Sequence, residues 1–397
     1  MRQILCAAGL AATTLFMQPA LAGPTKIKLG VLTDLSGPAA DIGKGSVAAA
    51  QIAVEDFGGK VLGRPIEVIS GDTMNKADIA SAAARTWIDN DKVDALFDFG
   101  LTNTALAVLP IAAEKNKIAI AVAPAGTNIT NEGCTPTSFH WMYDTHALAV
   151  GTAKVLLDKG LKNWYFVTVD YSFGQALEKD ASDFIKANGG KVVGSVKHPF
   201  AANDMSSFIL QAQSSKADVI ALANSTADTV NSVKQAREFG VMRNQYVAPL
   251  VTYLETVHGM GLNVAQNLYT LEGFYWDQDE RSRRFAAKYQ AKMGRAPGSL
   301  PAGTYSAVIS YLKAVEAAGT DDTAAVIKQL RSMTIDDDVV RNGRVRADGR
   351  MVHDMTVYQV KQPEESKRPW DYYKKVATVP GDVAFQSLEK SRCRLVK

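Results

Sequence analysis

An alternation of short apolar runs and helix-length segments, from residue 27 to residue 276, constrains the fold most. Several of the runs are apolar on both faces, as strands buried in a parallel sheet are. The segments between them have helical length, and a glycine closes many of them. This β-α-β-α order predicts open parallel sheets with right-handed crossovers, and the strands divide into two doubly wound sheets. The predicted strands are IKLGVLT, PIEVISGD, VDALFDFG, KIAIAVAP, WYFVTVD, KVVGSVKH, DVIALAN, YVAPLV and YTLEGFYW.

Length and composition agree with a two-domain globular protein. The chain has 397 residues, more than one ordinary core accommodates. Apolar residues make up 47% and charged residues 21%, which excludes a disordered chain. The formal net charge is only +3, and no basic run is interleaved with aromatic residues, so nucleic acid is not an expected partner.

The N-terminus has the pattern of a secretory signal. Arg2 precedes an apolar stretch from Ile4 to Met17, and Ala20-Leu21-Ala22 then precedes Gly23. The stretch is shorter than the roughly 20 residues that a membrane-spanning helix needs. We therefore predict a signal peptide over residues 1–22, cleaved after Ala22, and a periplasmic protein.

Cysteine and histidine usage argues against a metal or redox centre. Cys6 lies in the predicted signal, which leaves Cys134 and Cys393. Two cysteines in an oxidising compartment can form one bridge, and we predict that they pair and tie the C-terminal tail to the body; two separate thiols are the alternative. The chain has no C-x-x-C, H-E-x-x-H or G-x-S-x-G motif, so neither a cofactor nor catalysis is expected.

The loop SGPAADIGKGSVA, residues 36–48, imitates two nucleotide-binding motifs. Gly43, Gly45 and Ala48 match G-x-G-x-x-G/A, but they begin about nine residues beyond the first strand instead of in the turn after it. A P-loop would need glycine at position 38 and Ser or Thr at 45, where this chain has Pro38 and Gly45. We therefore expect a strand-to-helix loop without a nucleotide.

Three loops with hydroxyl groups follow three strands of the first predicted sheet. They are TDLSGPAADIG, FGLTNTA and APAGTN, and the last two place Thr104 and Thr127 near helix starts. Ligands of open α/β sheets bind beyond the carboxyl ends of the strands. Helix N-termini offer unpaired N–H groups and partial positive charge, so this edge is predicted to bind an anion such as a carboxylate.

The segments KIKLGVLTDLSGPAADIGKGSVAAAQIAVED, FGLTNTALAVLP, APAGTN and VDYSFGQ resemble periplasmic receptors of branched-chain amino-acid-type (Leu/Ile/Val-binding) ABC transporters. The resemblance spans nearly all of the mature chain. It implies an α/β type I periplasmic-binding-protein fold, with two Rossmann-like lobes joined by three crossover strands. Lobe 1 would comprise residues 26–144 and 274–353, and lobe 2 residues 145–273 and 354–397.

The same resemblance implies a ligand site between the lobes. Thr104 would supply the carboxylate-binding hydroxyl, Ala125 and Thr127 a backbone and side-chain pair, and either Tyr171 or Phe173 the aromatic contact of lobe 2. The full set of expected ligand-binding residues is Ser36, Asn103, Thr104, Ala125, Thr127, Tyr171, Phe173, Asn224 and Leu250.

One departure from the family pattern concerns the ligand's amine. Amino-acid-binding members have an acidic residue after the strand that corresponds to YVAPLV, but this chain has no carboxylate there before Glu255. An apolar surface does not offset the desolvation of an ammonium, which favours a carboxylate without an amine, such as an aromatic or keto acid. Asp170 could still meet an ammonium, so amino acids stay open.

The resemblance also implies a membrane permease as partner and a monomeric receptor without a cofactor. Two other functions use the same fold. One is a ligand-sensing domain that regulates a membrane partner, and the other is a secreted α/β enzyme, for which the motifs give little support.

Overall fold

The computed structural model describes residues 26–396, so the predicted signal peptide lies outside the described residues. Each of the nine predicted strand segments contains a strand, which confirms the alternating pattern. The chain forms two lobes, each with a parallel sheet between helices.

The first lobe is built on a six-stranded sheet with the order β2-β3-β1-β4-β5-β6. Its strands, numbered along the chain, are β1 (Ile27–Thr33), β2 (Lys60–Val61), β3 (Arg64–Asp72), β4 (Ala95–Asp98), β5 (Ile118–Ala121) and β6 (Ser138–His140). All neighbours are parallel except the short β2–β3 pair. β1, β4 and β5 are almost entirely buried because helices cover both faces of the sheet.

Six helices surround this sheet. They are α1 (Ala40–Phe57), α2 (Ala77–Asp89), α3 (Thr102–Glu114), α10 (Glu280–Met293), α11 (Ser299–Ala318) and α12 (Thr323–Ser332). α11 packs along α1 and also contacts α12 and the sheet, so it is buried on most of its surface. Residues 280–332, which follow the second lobe in the chain, thus complete the first lobe.

The second lobe contains a four-stranded parallel sheet with the order β10-β9-β7-β8. Its strands are β7 (Asn163–Val169), β8 (Lys191–His198), β9 (Val219–Ala223) and β10 (Tyr246–Pro249). Its helices are α4 (Thr145–Asp158), α5 (Ser172–Ala187), α6 (Ser206–Ser214), α7 (Thr226–Glu238), α8 (Leu254–Met260) and α9 (Leu262–Ala265).

The division of the nine predicted strands into two parallel sheets was wrong for YTLEGFYW. This segment forms β11 (Tyr269–Glu272), which pairs antiparallel with β14 (Met355–Val360), and β14 pairs antiparallel with β15 (Tyr373–Val379). The three strands form a separate sheet that packs against α4 and β10 of the second lobe. The remaining strands are β12 (Arg344–Val345) and β13 (Met351–Val352), and the remaining α-helix is α13 (Gly381–Ala384).

The chain passes between the lobes after β6, after β11 and after β13, and buried polar groups join the first and third passages. The Arg350 guanidinium donates to the Tyr143 carbonyl oxygen at 2.7 Å and lies 3.6 Å from the Asp144 carboxylate. His353 Nε2 lies 2.6 Å from the Met142 carbonyl oxygen, and burial lowers the pKa of His353 to about 4. These contacts connect the first and third passages to each other.

Candidate functional site

A cavity of about 40 Å³ lies between the lobes at the carboxyl ends of the first-lobe strands. Loops after β1, β4 and β5 form one side, and the starts of α5 and α7 from the second lobe form the other. Two tyrosines and Leu300 of α11 complete the lining. This is the edge of the sheet where the sequence predicted an anion site.

The first-lobe side of the cavity contains the start of α3. Leu101 and Thr102 lie at this start and line the cavity, together with Ala125 of the loop after β5. The Thr102 hydroxyl accepts a hydrogen bond from the Gly126 N–H at 3.1 Å, which fixes the two loops relative to one another. Ala125 is thus one of the expected ligand-binding residues that the structure places on the cavity.

The loop after β1 is organised by Asp34. Its carboxylate accepts hydrogen bonds from the N–H groups of Gly37 and Ala39 at 2.6 and 2.8 Å and from the Asn75 side chain at 2.9 Å. Ser36 is exposed, and its hydroxyl donates to the Asp72 carboxylate. Ser36 therefore lies on the rim of this loop and outside the cavity lining.

The glycines that resemble a dinucleotide-binding motif allow close packing of α1. Gly43 and Gly45 both lie within α1. A Cβ on Gly43 would lie 1.9 Å from the Asp34 carbonyl oxygen, and one on Gly45 would lie 2.2 Å from the Tyr289 hydroxyl oxygen. The two positions allow α1 to approach its neighbours closely.

On the second-lobe side, the structure places Phe173, but not Tyr171, in the cavity lining. Phe173, in the first turn of α5, lines the cavity. Tyr171 packs instead against Phe173 and Phe200, with ring centroids 5.8 and 5.5 Å away. Ser225 and Thr226 bring the start of α7 to the same cavity.

Three of the expected polar residues use their side chains elsewhere. The Thr104 hydroxyl bonds to the Phe99 carbonyl oxygen beneath the start of α3. Thr127 donates to the Asp180 carboxylate of α5 at 2.9 Å. The Asn224 side chain is fully buried and bonds to His198, Thr229 and Ser232 in the second lobe.

Asn103 and Leu250 also lie outside the cavity lining. Asn103 is in the first turn of α3, and its side-chain oxygen is buried without a hydrogen-bond partner among the described residues. Leu250 is fully buried in the core just after β10. A direct role of these residues in binding stays a prediction.

Two cavity residues that the sequence reasoning missed are Tyr143 and Tyr253. Their hydroxyl oxygens are 2.7 Å apart, and the Tyr143 hydroxyl also donates to the Ala123 carbonyl oxygen at 2.6 Å. Burial raises the pKa of both phenols above their usual value, so both are neutral. Tyr253 follows the predicted strand YVAPLV by two residues, and this position at the carboxyl end of a strand is the sequence feature that could have identified it as a cavity residue.

Among the described lining residues, no carboxylate oxygen has a lone pair left to accept a hydrogen bond from a ligand ammonium. Asp34 is the acidic residue that lines the cavity, and its own loop occupies its carboxylate. Asp170 is exposed and lies 3.1 Å from the Lys197 ammonium. Glu272 is buried behind the cavity, where burial raises its pKa to about 8 and keeps it neutral at pH 7.

The predicted disulfide is confirmed. Cys134 and Cys393 are bonded, with their Cα atoms 5.7 Å apart. The Arg392 N–H next to it donates to the Asn131 side chain at 2.8 Å, and the Arg392 guanidinium pairs with Glu132. The C-terminal tail is thus held against the loop that follows β5.

Two parallel-sheet lobes around a shared cavity, joined by three passages of the chain, define a type I periplasmic binding protein. The profile of the periplasmic binding protein family matches residues 26–367, and the chain belongs to this family. The family consists of periplasmic solute receptors of ABC transporters, which confirms the predicted class. Within residues 26–396, every helix is too short or too polar to cross a membrane.

Solved structures and curated relatives agree with this assignment. A periplasmic binding protein from Burkholderia mallei is 49% identical, with a TM-score of 0.92 over 94% of this chain and 99% of that one. A branched-chain amino acid ABC transporter periplasmic ligand-binding protein from Burkholderia xenovorans is 41% identical, with a TM-score of 0.86 over 94% and 100%. A Leu/Ile/Val-binding protein homolog of Brucella suis is 28% identical over 77% of this chain and 80% of its own length.

Proposed function

We propose that this receptor binds a small carboxylate between its lobes and delivers it, chemically unchanged, to an ABC transporter permease. The relatives from Burkholderia xenovorans and Brucella suis, a branched-chain amino acid ABC transporter ligand-binding protein and a Leu/Ile/Val-binding protein homolog, support a small organic solute and a transporter partner. The chemistry of the cavity supports the carboxylate. We also propose that the boundaries between the two lobes lie near residues 144, 273 and 353.

The observation that carries the proposal is the convergence of helix starts. α3 begins on the cavity from the first lobe, and α5 and α7 begin on it from the second. The first N–H groups of a helix lack partners within the helix and carry partial positive charge. Three such starts around one cavity favour a bound anion, and the carboxylate oxygens of Asp34, the acidic residue among the described lining residues, are hydrogen-bonded within the protein.

The same lining disfavours a ligand ammonium. An ammonium moved out of water needs a charged or strongly accepting partner. Asp34 is occupied, Asp170 pairs with Lys197 outside the cavity, and the Glu272 carboxyl is neutral. A carboxylate without an amine therefore fits the described lining better than an α-amino acid.

Binding requires movement of the lobes. A cavity of about 40 Å³ holds only a few water molecules, whereas ligand pockets start at roughly 300 Å³. The lobes must separate to admit a ligand and then enclose it. Because each lobe supplies only part of the contacts, the ligand binds the enclosed arrangement better and shifts the population towards it.

Calorimetry and small-angle scattering test the proposal together. The protein is titrated with 4-methylpentanoate and benzoate and with the methyl ester of each. Hydrogen bonds to a charged group are worth about 1.5–3 kcal/mol, so each ester should bind at least about tenfold more weakly than its acid. Binding of the acid should also reduce the radius of gyration of the protein. The acid released from the protein afterwards should be chemically unchanged. Esters that bind as tightly as the acids would exclude the carboxylate site.

Phe173→Ala provides the matched variant. Phe173 lines the cavity and is only 4% exposed, so its truncation removes the aromatic ring that the ligand would pack against and should weaken acid binding about tenfold or more. Phe239 is 39% exposed and lies at the far end of α7, so Phe239→Ala is the control. Equal affinities of the two variants would place the ligand away from this cavity.

A further inference from the structure

The two cavity tyrosines form a hydrogen-bonded chain with a fixed direction. The Ala123 carbonyl oxygen can only accept, so the single Tyr143 hydroxyl proton is directed to it, at 2.6 Å. The contact of 2.7 Å between the two phenols then requires Tyr253 to donate to Tyr143. The proton of each hydroxyl is thereby committed to a partner within the protein.

This direction determines what Tyr253 can offer a ligand. A phenol has one donor proton and two acceptor lone pairs. The Tyr253 oxygen has no hydrogen-bond partner besides Tyr143 in the part of the chain that the structure describes, and Tyr253 lines the cavity. Its remaining capacity is therefore that of a neutral acceptor.

A neutral acceptor selects by the chemistry of the donor. A ligand hydroxyl is a neutral donor, and its hydrogen bond to the Tyr253 oxygen replaces the hydrogen bond to water that it loses on binding. An ammonium would lose far more hydration and meet no charge there. A ligand without any donor would leave the buried Tyr253 lone pairs unpaired, which also costs free energy.

We propose that Tyr253 is a specificity-determining residue of this receptor and that it selects hydroxycarboxylates, whose hydroxyl donates to the Tyr253 oxygen. The inference rests on the proposed carboxylate function and narrows its substrate class. The helix N-termini bind the ligand's carboxylate, and the Tyr253 oxygen accepts a hydrogen bond from the ligand's hydroxyl. Tyr143 acts through Tyr253, because it accepts the hydrogen bond that the Tyr253 hydroxyl donates.

Calorimetry with matched acids on the full mature protein tests this inference. The probes are 2-hydroxy-4-methylpentanoate against 4-methylpentanoate, and 4-hydroxybenzoate against benzoate. The hydroxylated member of at least one pair should bind wild-type protein about tenfold more tightly. In Tyr253→Phe this advantage should disappear through weaker binding of the hydroxylated acid alone. Unchanged binding of the other acid shows that the variant is folded.

Tyr275→Phe is the control, because the Tyr275 hydroxyl donates to the Trp370 carbonyl oxygen at 3.3 Å, outside the cavity. It should keep the wild-type preference. Equal binding of both members of each pair to wild-type protein, or a preference that persists in Tyr253→Phe, would overturn the inference and leave the carboxylate site standing. Failure of all four acids to bind would refute the carboxylate function itself, and with it the inference.

Discussion

Replacing Glu272 by glutamine is expected to change how the stability of the protein depends on pH. Glu272 ends β11 behind the interlobe cavity and is only 4% exposed. The Ser299 hydroxyl donates to its carboxyl group, and Tyr373 contacts it at 3.3 Å. Burial dominates over these hydrogen bonds, and the negative charge of Glu255 adds to it, so the pKa rises to about 8.

The sign of the effect follows from this pKa. Below pH 4.5, the ordinary value, Glu272 is protonated in both the folded and the unfolded chain and does not affect the balance. Between pH 4.5 and about 8 the unfolded chain releases the proton and the folded chain keeps it, so stability falls as pH rises. At about 1.4 kcal/mol for each pH unit, the whole interval corresponds to about 5 kcal/mol.

Urea unfolding of wild-type protein and Glu272→Gln at pH 5, 6, 7 and 8 measures this effect. Glutamine is neutral throughout, so the stability of the variant relative to wild type should increase by several kcal/mol from pH 5 to pH 8. Glu389→Gln, at an exposed position, is the control and should show no such trend. A stability difference that is constant over this pH range would refute the assignment of Glu272 as a neutral carboxyl.

Three further predictions concern the frame of the site. Removing the Cys134–Cys393 bridge, which spans 259 residues, should lower the free energy of unfolding by about 3–5 kcal/mol in urea, and unchanged stability after reduction would contradict it. A double-mutant cycle of Thr127→Val and Asp180→Ala should give a coupling energy of about 1.5–3 kcal/mol, whereas additive effects would mean that the hydroxyl does not bond to the carboxylate. Gly43→Ala should cost about 1–3 kcal/mol in urea unfolding, because a methyl group there meets a backbone carbonyl; wild-type stability would show that α1 can shift freely.

The sheets of the two lobes could be predicted because their central strands are buried on both faces and therefore appear as continuous apolar runs. The partners of β11 could not be predicted in the same way. β15 exposes much of its length, and β14 returns to the second lobe from a distant part of the chain, so no local pattern connects them to YTLEGFYW.

The limits for the site have a different cause. A threonine in the first turn of a helix can bind a ligand or stabilise the helix start, and Thr104 bonds to the protein's own backbone. An aromatic residue after a strand can pack in the core or face a cavity, and only the fold distinguishes Tyr253 from Tyr171. The loop after β5 lies at the predicted edge of the sheet because parallel strands bring their carboxyl ends to one edge.

The ligand that the protein carries in its native host is the most direct test of the proposed binding chemistry. Protein purified from that host is denatured, and the released small molecules are identified by mass spectrometry against a blank. The structure predicts a carboxylate that lacks a primary amine and carries a hydroxyl group. Recovery of an α-amino acid such as leucine in amounts equal to the protein would contradict this, because the carboxylate oxygens of the described cavity lining already accept hydrogen bonds within the protein and leave none for its ammonium.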